Sequence, residues 1–192
     1  DMERIQAAIE KARAERRQAE ATVLPPAMAQ AAAQDAIAAP PPADNGLAAR
    51  WSAITPYVAK RKLLTRSRIV AAEGGQEAAA FDVLRTKTLQ QMKANGWKKL
   101  AITSPTPGCG KSTIALNLGF GLARQPEQRV IVAELDLRRP SLMRMTGQEP
   151  PGSFADVMTG QAALADVALR QGDNLALAMN RGPVRNPAEL LH

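Results

Sequence analysis

The residues best able to do chemistry form one run, Ser104-Pro105-Thr106-Pro107-Gly108-Cys109-Gly110-Lys111-Ser112-Thr113. Gly108 and Gly110 let the backbone turn so that several N–H groups converge on one anion. A helix starting near Lys111 would add the positive end of its dipole. In such a loop the lysine reaches the β- and γ-phosphates of a nucleoside triphosphate, the serine hydroxyl ligates Mg²⁺, and Thr113 lies near the α-phosphate. The run thus predicts a site for ATP with Mg²⁺ built from Pro107, Gly108, Cys109, Gly110, Lys111, Ser112 and Thr113. The strict pattern has glycine five residues before Gly110, where this chain has Pro105. Cys109 admits two readings. It is either a small residue valued for its backbone amide, or a thiol acidified at a helix N-terminus whose oxidation would block the nucleotide.

A second group follows at Glu134, Asp136, Arg138 and Arg139, closed by Pro140. Carboxylates at i and i+2 of an extended segment point to the same side. Beside a triphosphate, one would hold the water shell of the metal and the other would accept a proton from an attacking hydroxyl. Candidate catalytic residues are therefore Lys111, Glu134, Asp136 and Arg138, and candidate metal ligands are Ser112 and Asp136. The plainer alternative is a polar strand end whose acids pair with Arg138.

These residues need elements to hold them. Lys98–Thr103 reads as a strand, Ser112–Ala123 as an apolar helix buried on several sides, and Arg129–Asp136 as a second buried strand. Strand, helix, strand in about forty residues predicts a parallel βαβ unit, hence an α/β fold of P-loop NTPase type. From Gln76 a helical face carries Phe81, Leu84, Thr88 and Met92 and stops at Asn95-Gly96. Phe154–Met158 and Leu164–Leu169 read as short helices, Leu175–Met179 as a strand, and Pro187–Leu191 as the start of a helix.

Upstream the composition changes. Residues 1–21 predict a helix with a narrow stripe of Ile5, Ala8, Ile9 and Ala12. Residues 22–46 are rich in Ala and Pro and read as a linker. Residues 47–76 form a basic lead-in expected to be loosely structured, and residues 77–192 the nucleotide-binding domain. Residues 47–100 hold eleven basic and three acidic side chains, a local +8 within a net charge of +7, with the densest part at Lys60, Arg61, Lys62, Arg66 and Arg68. Such a cluster is either a solvated face or a patch for anionic lipid. Aromatics, at 3%, do not interleave with it, so no nucleic-acid partner is expected. A single cysteine excludes an internal disulfide framework. With neither a membrane-length apolar run nor a signal-peptide pattern, the reading is a cytoplasmic chain.

Four stretches together resemble the bacterial tyrosine autokinases of capsule and exopolysaccharide synthesis. Ser104–Thr113 resembles their Walker A loop. Val130–Pro140 resembles their Walker A′ segment, an apolar strand ending in acid-x-Asp-Leu-Arg-x-Pro. Phe81–Lys87 is similar to their Phe-Arg-x-Leu-Arg-Thr-Asn segment, and Gly182–Leu191 to their Gly-x-x-x-Asn-Pro-x-Glu-Leu-Leu stretch. The resemblance implies transfer of the γ-phosphoryl of ATP to tyrosine. It also implies a membrane polysaccharide co-polymerase as activating partner, a homo-oligomer, and a peripheral place at the inner face of the plasma membrane.

The chain departs from that pattern in four places. Glu134 stands where the family has Asp. The ring-forming Glu-x-x-Arg-x-x-Arg appears as Ala79-x-x-Asp82-x-x-Arg85. Tyr57 is the one tyrosine. No apolar strand ending in Asp follows residue 137, so the sequence is expected to be a piece of a longer kinase. Thr106-Pro107 replaces the signature lysine of partition-type ATPases and argues against them. The remaining alternative is a nucleotide-responsive regulatory subunit of a polysaccharide export complex that lacks kinase activity.

Overall fold

In a computed structural model of the chain, residues 46–191 are described. The expected helix over residues 1–21 and nearly all of the linker lie outside them. The described part is α/β. Its elements in order are α1 (Leu47–Ala53), β1 (Thr55–Tyr57), α2 (Arg61–Arg66), two 3₁₀ turns (Val70–Ala72 and Gln76–Ala78), α3 (Ala79–Ala94), α4 (Lys111–Ala123), β2 (Val130–Ala133), α5 (Leu142–Thr146), α6 (Phe154–Met158), α7 (Leu164–Val167), β3 (Leu169–Gln171), β4 (Leu175–Ala178) and a closing 3₁₀ turn (Glu189–Leu191).

The sheet is mixed, in the order β1-β3-β4-β2. β1 runs parallel to β3 and β2 parallel to β4, with Val130 opposite Leu175 and Ala133 opposite Ala178. Strands β3 and β4 form an antiparallel hairpin. Its turn passes through Gly172, whose φ of 59° only glycine adopts without strain.

β4 explains the core. Strand side chains alternate between faces. Leu175, Leu177 and Met179 join Leu116 and Phe120 of α4 in one cluster, while Ala176 and Ala178 meet Trp51 and Ile54 on the other side. Helix α4 lies close to the sheet because Gly119 has no side chain: a Cβ there would stand 2.5 Å from Val132 Cγ2. Helix α3 ends as read. Gly96 takes φ 67°, and Trp97 N–H donates back to the Met92 carbonyl.

Four expectations are corrected. First, Lys98–Thr103 joins no ladder among the described residues, and Leu100 is 50% exposed. An apolar extended run becomes a strand only where a neighbour takes its N–H and C=O groups, and the ladder partner of β2 is β4. The parallel crossover therefore links β2 to β4, not 98–103 to β2. Second, Arg129–Asp136 is not buried on both faces. Val132 and Glu134 point inward, but Ile131 and Leu135 are 46% and 54% exposed, the period-2 signature of a strand covered on one side. Third, the lead-in is not loose: β1 sits in the sheet, and Tyr57, Leu64 and Ile69 belong to the core. Leu164–Leu169 is also shorter as a helix than read, since Leu169 begins β3.

Gly119→Ala is expected to lower stability by about 1–2 kcal/mol in urea unfolding, because the contact with the stiff Val132 outweighs the gain in helix propensity. Combined with Val132→Ala, the loss should be smaller than the sum of the two single losses.

Candidate nucleotide-binding site

The loop takes its shape from two left-handed glycines. Gly108 has φ 80°, and Gly110, which precedes α4, has φ 87° and ψ 12°. Nothing lies within 4 Å of a Cβ built at either, so the requirement is conformational and not steric. Helix α4 then begins at Lys111, and Ile114 N–H donates to the Gly110 carbonyl at 2.9 Å. The N–H groups before Ile114 have no partner within the helix, as in any first turn, and are oriented toward the loop.

Two contacts bring the acidic segment to this turn. Lys111 Nζ lies 3.7 Å from Asp136 Oδ2. Both groups are partly exposed, so the pair is worth about 0–1 kcal/mol and the lysine can leave it. Asp136 Oδ1 also accepts the Arg139 N–H at 3.0 Å, which fixes the turn after β2. The second contact joins Ser112 Oγ and Ser141 Oγ, 2.7 Å apart.

Glu134 differs from the reading that paired it with Asp136. It is 4% exposed, and both oxygens are engaged by backbone N–H groups outside the loop. Oε1 accepts the backbone N–H groups of Ser141 and Leu142, and Oε2 accepts that of Asn180. The Glu134 carbonyl takes the Asn180 side-chain amide at 3.0 Å, while its N–H donates to Ala178. This carboxylate ties three segments together and is not free to move a proton. The alternative that paired the acids with Arg138 fails as well: Arg138 is exposed, and the partner of Asp136 is Lys111.

Of the remaining loop residues, Pro107 is exposed and Thr113 is partly buried, with its carbonyl accepting from Asn117. Cys109 is exposed, with Sγ 2.8 Å from Thr106 Oγ1. The hydrogen bond from Thr106 holds its thiol below the ordinary cysteine range, helped by Ser104 and by the charge of Lys111. Among the described residues no three acidic, histidine or cysteine side chains cluster as a metal cage. One hydroxyl and one carboxylate, Ser112 and Asp136, fit an ion that takes its other ligands from phosphate and water, as Mg²⁺ commonly does.

Sequence reasoning missed three residues. Asn117, fully buried in α4, accepts the Ala71 N–H and donates to the carbonyls of Arg68 and Thr113. It fastens the lead-in to the loop helix. Its signal was a lone amide inside an apolar run. Ser141 was marked by its place after Pro140 and before a helix. Asn180 left no comparable signal.

The geometry defines an α/β protein with a glycine loop, a helix start and an acidic turn gathered at one place. In sequence, about half of the chain is related to bacterial tyrosine-protein kinases. Tyrosine-protein kinase YwqD of Bacillus subtilis is 32% identical over 95 residues, which is 49% of this chain and 40% of that protein. Tyrosine-protein kinase ptk of Acinetobacter johnsonii is 34% identical over 94 residues, which is 48% of this chain and 13% of that protein. The matches thus span well under half the length of these relatives. No family model matches the chain. Among solved structures, the chimerical protein CapA2B2 gives a TM-score of 0.48 at 20% identity, covering 72% of this chain and 59% of that one.

Two outcomes are expected. Glu134→Asp, one methylene shorter, should release at least one of the three amides and cost about 1–3 kcal/mol in thermal or urea unfolding. Alkylation of Cys109 by iodoacetamide, followed by mass spectrometry across pH, should begin below the pH of an ordinary thiol. Thr106→Val should shift the profile upward, because the bond that favours the thiolate is gone.

Proposed function

We propose that this chain carries the ATP-binding machinery of a protein-tyrosine autokinase that regulates exopolysaccharide or capsular polysaccharide synthesis and export. The observation that supports it most is the meeting of Lys111 with Asp136 and of Ser112 with Ser141 at the start of α4. Kinship with tyrosine-protein kinases adds the phosphoryl acceptor.

Bound ATP with Mg²⁺ would supply the γ-phosphoryl group. Amides of Gly108 to Thr113 would hold the phosphate oxygens. Lys111 would leave Asp136 for the phosphates, where its charge offsets the charge that develops on transfer. Asp136, once unpaired, would hold the metal through Ser112 and its water shell or take the proton of the tyrosine hydroxyl. Arg138, on the exposed lip, is free to meet the acceptor or a phosphate. Glu134, given a catalytic part on sequence grounds, serves in this reading as a positioning group.

In the same reading the protein works in the cytoplasm at the inner face of the plasma membrane, through a membrane polysaccharide co-polymerase that activates it. The exposed residues from Lys60 to Arg68 would lie toward anionic lipid. Arg61 already pairs with Glu73, so the patch carries less free charge than its composition suggests. Among the described residues no helix is long and apolar enough to cross a membrane. Homo-oligomers through α3 would use a surface different from the familiar one. Here Arg85 turns inward to Asp82 at 2.9 Å and to the Gly121 carbonyl, and Arg124 shares the same carboxylate.

One observation favours the second reading, a regulatory subunit without kinase activity. Tyr57 is 7% exposed in the core, and burial pushes its hydroxyl far above the usual range. The single tyrosine is thus closed to phosphorylation in the folded state, so these 192 residues supply no acceptor of their own.

The test incubates the chain with γ-labelled ATP, Mg²⁺ and a tyrosine-containing acceptor peptide. Label on tyrosine that disappears in Lys111→Met and Asp136→Asn supports the kinase. Nucleotide binding without label favours the regulator, and no nucleotide binding sinks both. Lys111→Met should weaken nucleotide binding about 10- to 100-fold, the worth of one charge-assisted contact.

A further inference from the structure

Ser112 is the residue of the loop expected to ligate Mg²⁺, and its hydroxyl is not alone. Ser141 Oγ stands 2.7 Å from Ser112 Oγ, although the two are 29 residues apart. A serine hydroxyl that gives a lone pair to a cation becomes a stronger proton donor, and its O–H must point away from the ion toward an acceptor. Ser141 Oγ is placed to be that acceptor. Ser141 is itself held in place. Its N–H and that of Leu142 donate to buried Glu134 Oε1, and Leu142 is 3% exposed in the core. The Met145 N–H donates to the Ser141 carbonyl at 3.0 Å, tying the residue into the first turn of α5. The backbone at Ser141 is thus fixed, and from it the side chain reaches Ser112.

We propose that Ser141 is a positioning residue for the metal half of the nucleotide site. It orients the Ser112 hydroxyl so that a lone pair faces Mg²⁺. Glu134 supports it by fixing the backbone at residues 141 and 142. This inference rests on the nucleotide reading given above. It adds a residue outside the loop that sets how strongly the bound nucleotide and the metal favour each other. A packing role alone would affect stability. Positioning acts instead on the coupling between the two ligands, since the same hydroxyl pair also exists without metal.

The experiment measures binding of a fluorescent ATP analogue to the full 192-residue chain, in EDTA and across a Mg²⁺ titration. It compares the unaltered chain with Ser141→Ala and Ser141→Thr. In Ser141→Ala, affinity in EDTA should stay within about twofold, while the Mg²⁺ concentration needed for half-maximal enhancement should rise about tenfold, the low end of what loss of an outer-shell partner does to a metal site. Ser141→Thr keeps the hydroxyl and should restore the Mg²⁺ response. Melting temperatures taken alongside separate coupling from folding. An unchanged Mg²⁺ response in a folded Ser141→Ala overturns the proposal. So does equal weakening of the alanine and threonine variants, or an equal loss in EDTA and in Mg²⁺. If the unaltered chain binds no nucleotide, the nucleotide reading itself falls, and this control tells that failure apart from failure of the Ser141 role.

Discussion

A single buried carboxylate holds the site end of this fold together. Removing Glu134 from water carries a penalty of several kcal/mol unless its lone pairs are satisfied. Three backbone N–H groups satisfy them, from two segments that are far apart in the chain. The end of β2, the start of α5 and the end of β4 can therefore move only together. The acidic turn with Asp136 hangs between two of these anchors. Its position relative to the loop follows from Glu134 even though Glu134 makes no hydrogen bond to the loop.

The other side of the site is fixed by α4. The helix approaches β2 closely at Gly119, and Asn117 joins it to the segment around Arg68 and Ala71. Both residues act from within the helix that Lys111 and Ser112 open. The glycine turn thus starts a buried, doubly tethered helix, while the loop before it stays exposed. That division suits a ligand site: the groups that must hold still belong to the helix, and the residues that must admit a ligand belong to the loop.

Much of this was legible in the sequence for a physical reason: local rules were strong there. Two glycines, a lysine and a hydroxyl before an apolar run allow few other structures, and Asn95-Gly96 marks a helix end that the backbone dihedrals match. The α/β class followed from the same runs. What failed was pairing. Apolar character marked Lys98–Thr103 as a strand, but a ladder is a property of two segments and its partner is not written in either. The same limit hid the mixed sheet and the place of β1. In the site, the i, i+2 rule put Glu134 and Asp136 on one nominal side, but it cannot tell which acid the fold consumes. Asn117 and Ser141 were visible as polar residues at odd places, and only their partners gave them a role.

The consumption of Glu134 bears on what chemistry this chain can do. The resembled family places aspartate at this position, with a second carboxylate two residues on. A glutamate has one more methylene, which lets its carboxylate reach amides on both flanking segments and accept from all three at once. Three of its roughly four acceptor sites are taken and the carboxylate is buried, so it is spoken for by the backbone and not by a metal's water shell. Asp136 is then the one carboxylate of the pair left beside Lys111. Holding the metal and accepting a proton are tasks for two groups at one instant, since a carboxylate bound to a cation is a poor base. Were the chain to work as the proposed kinase, either the proton of the acceptor hydroxyl would leave late, which a loose phosphoryl-transfer transition state permits, or the second group would come from the acceptor chain. The second route would make that chemistry depend on a partner more than the loop alone suggests.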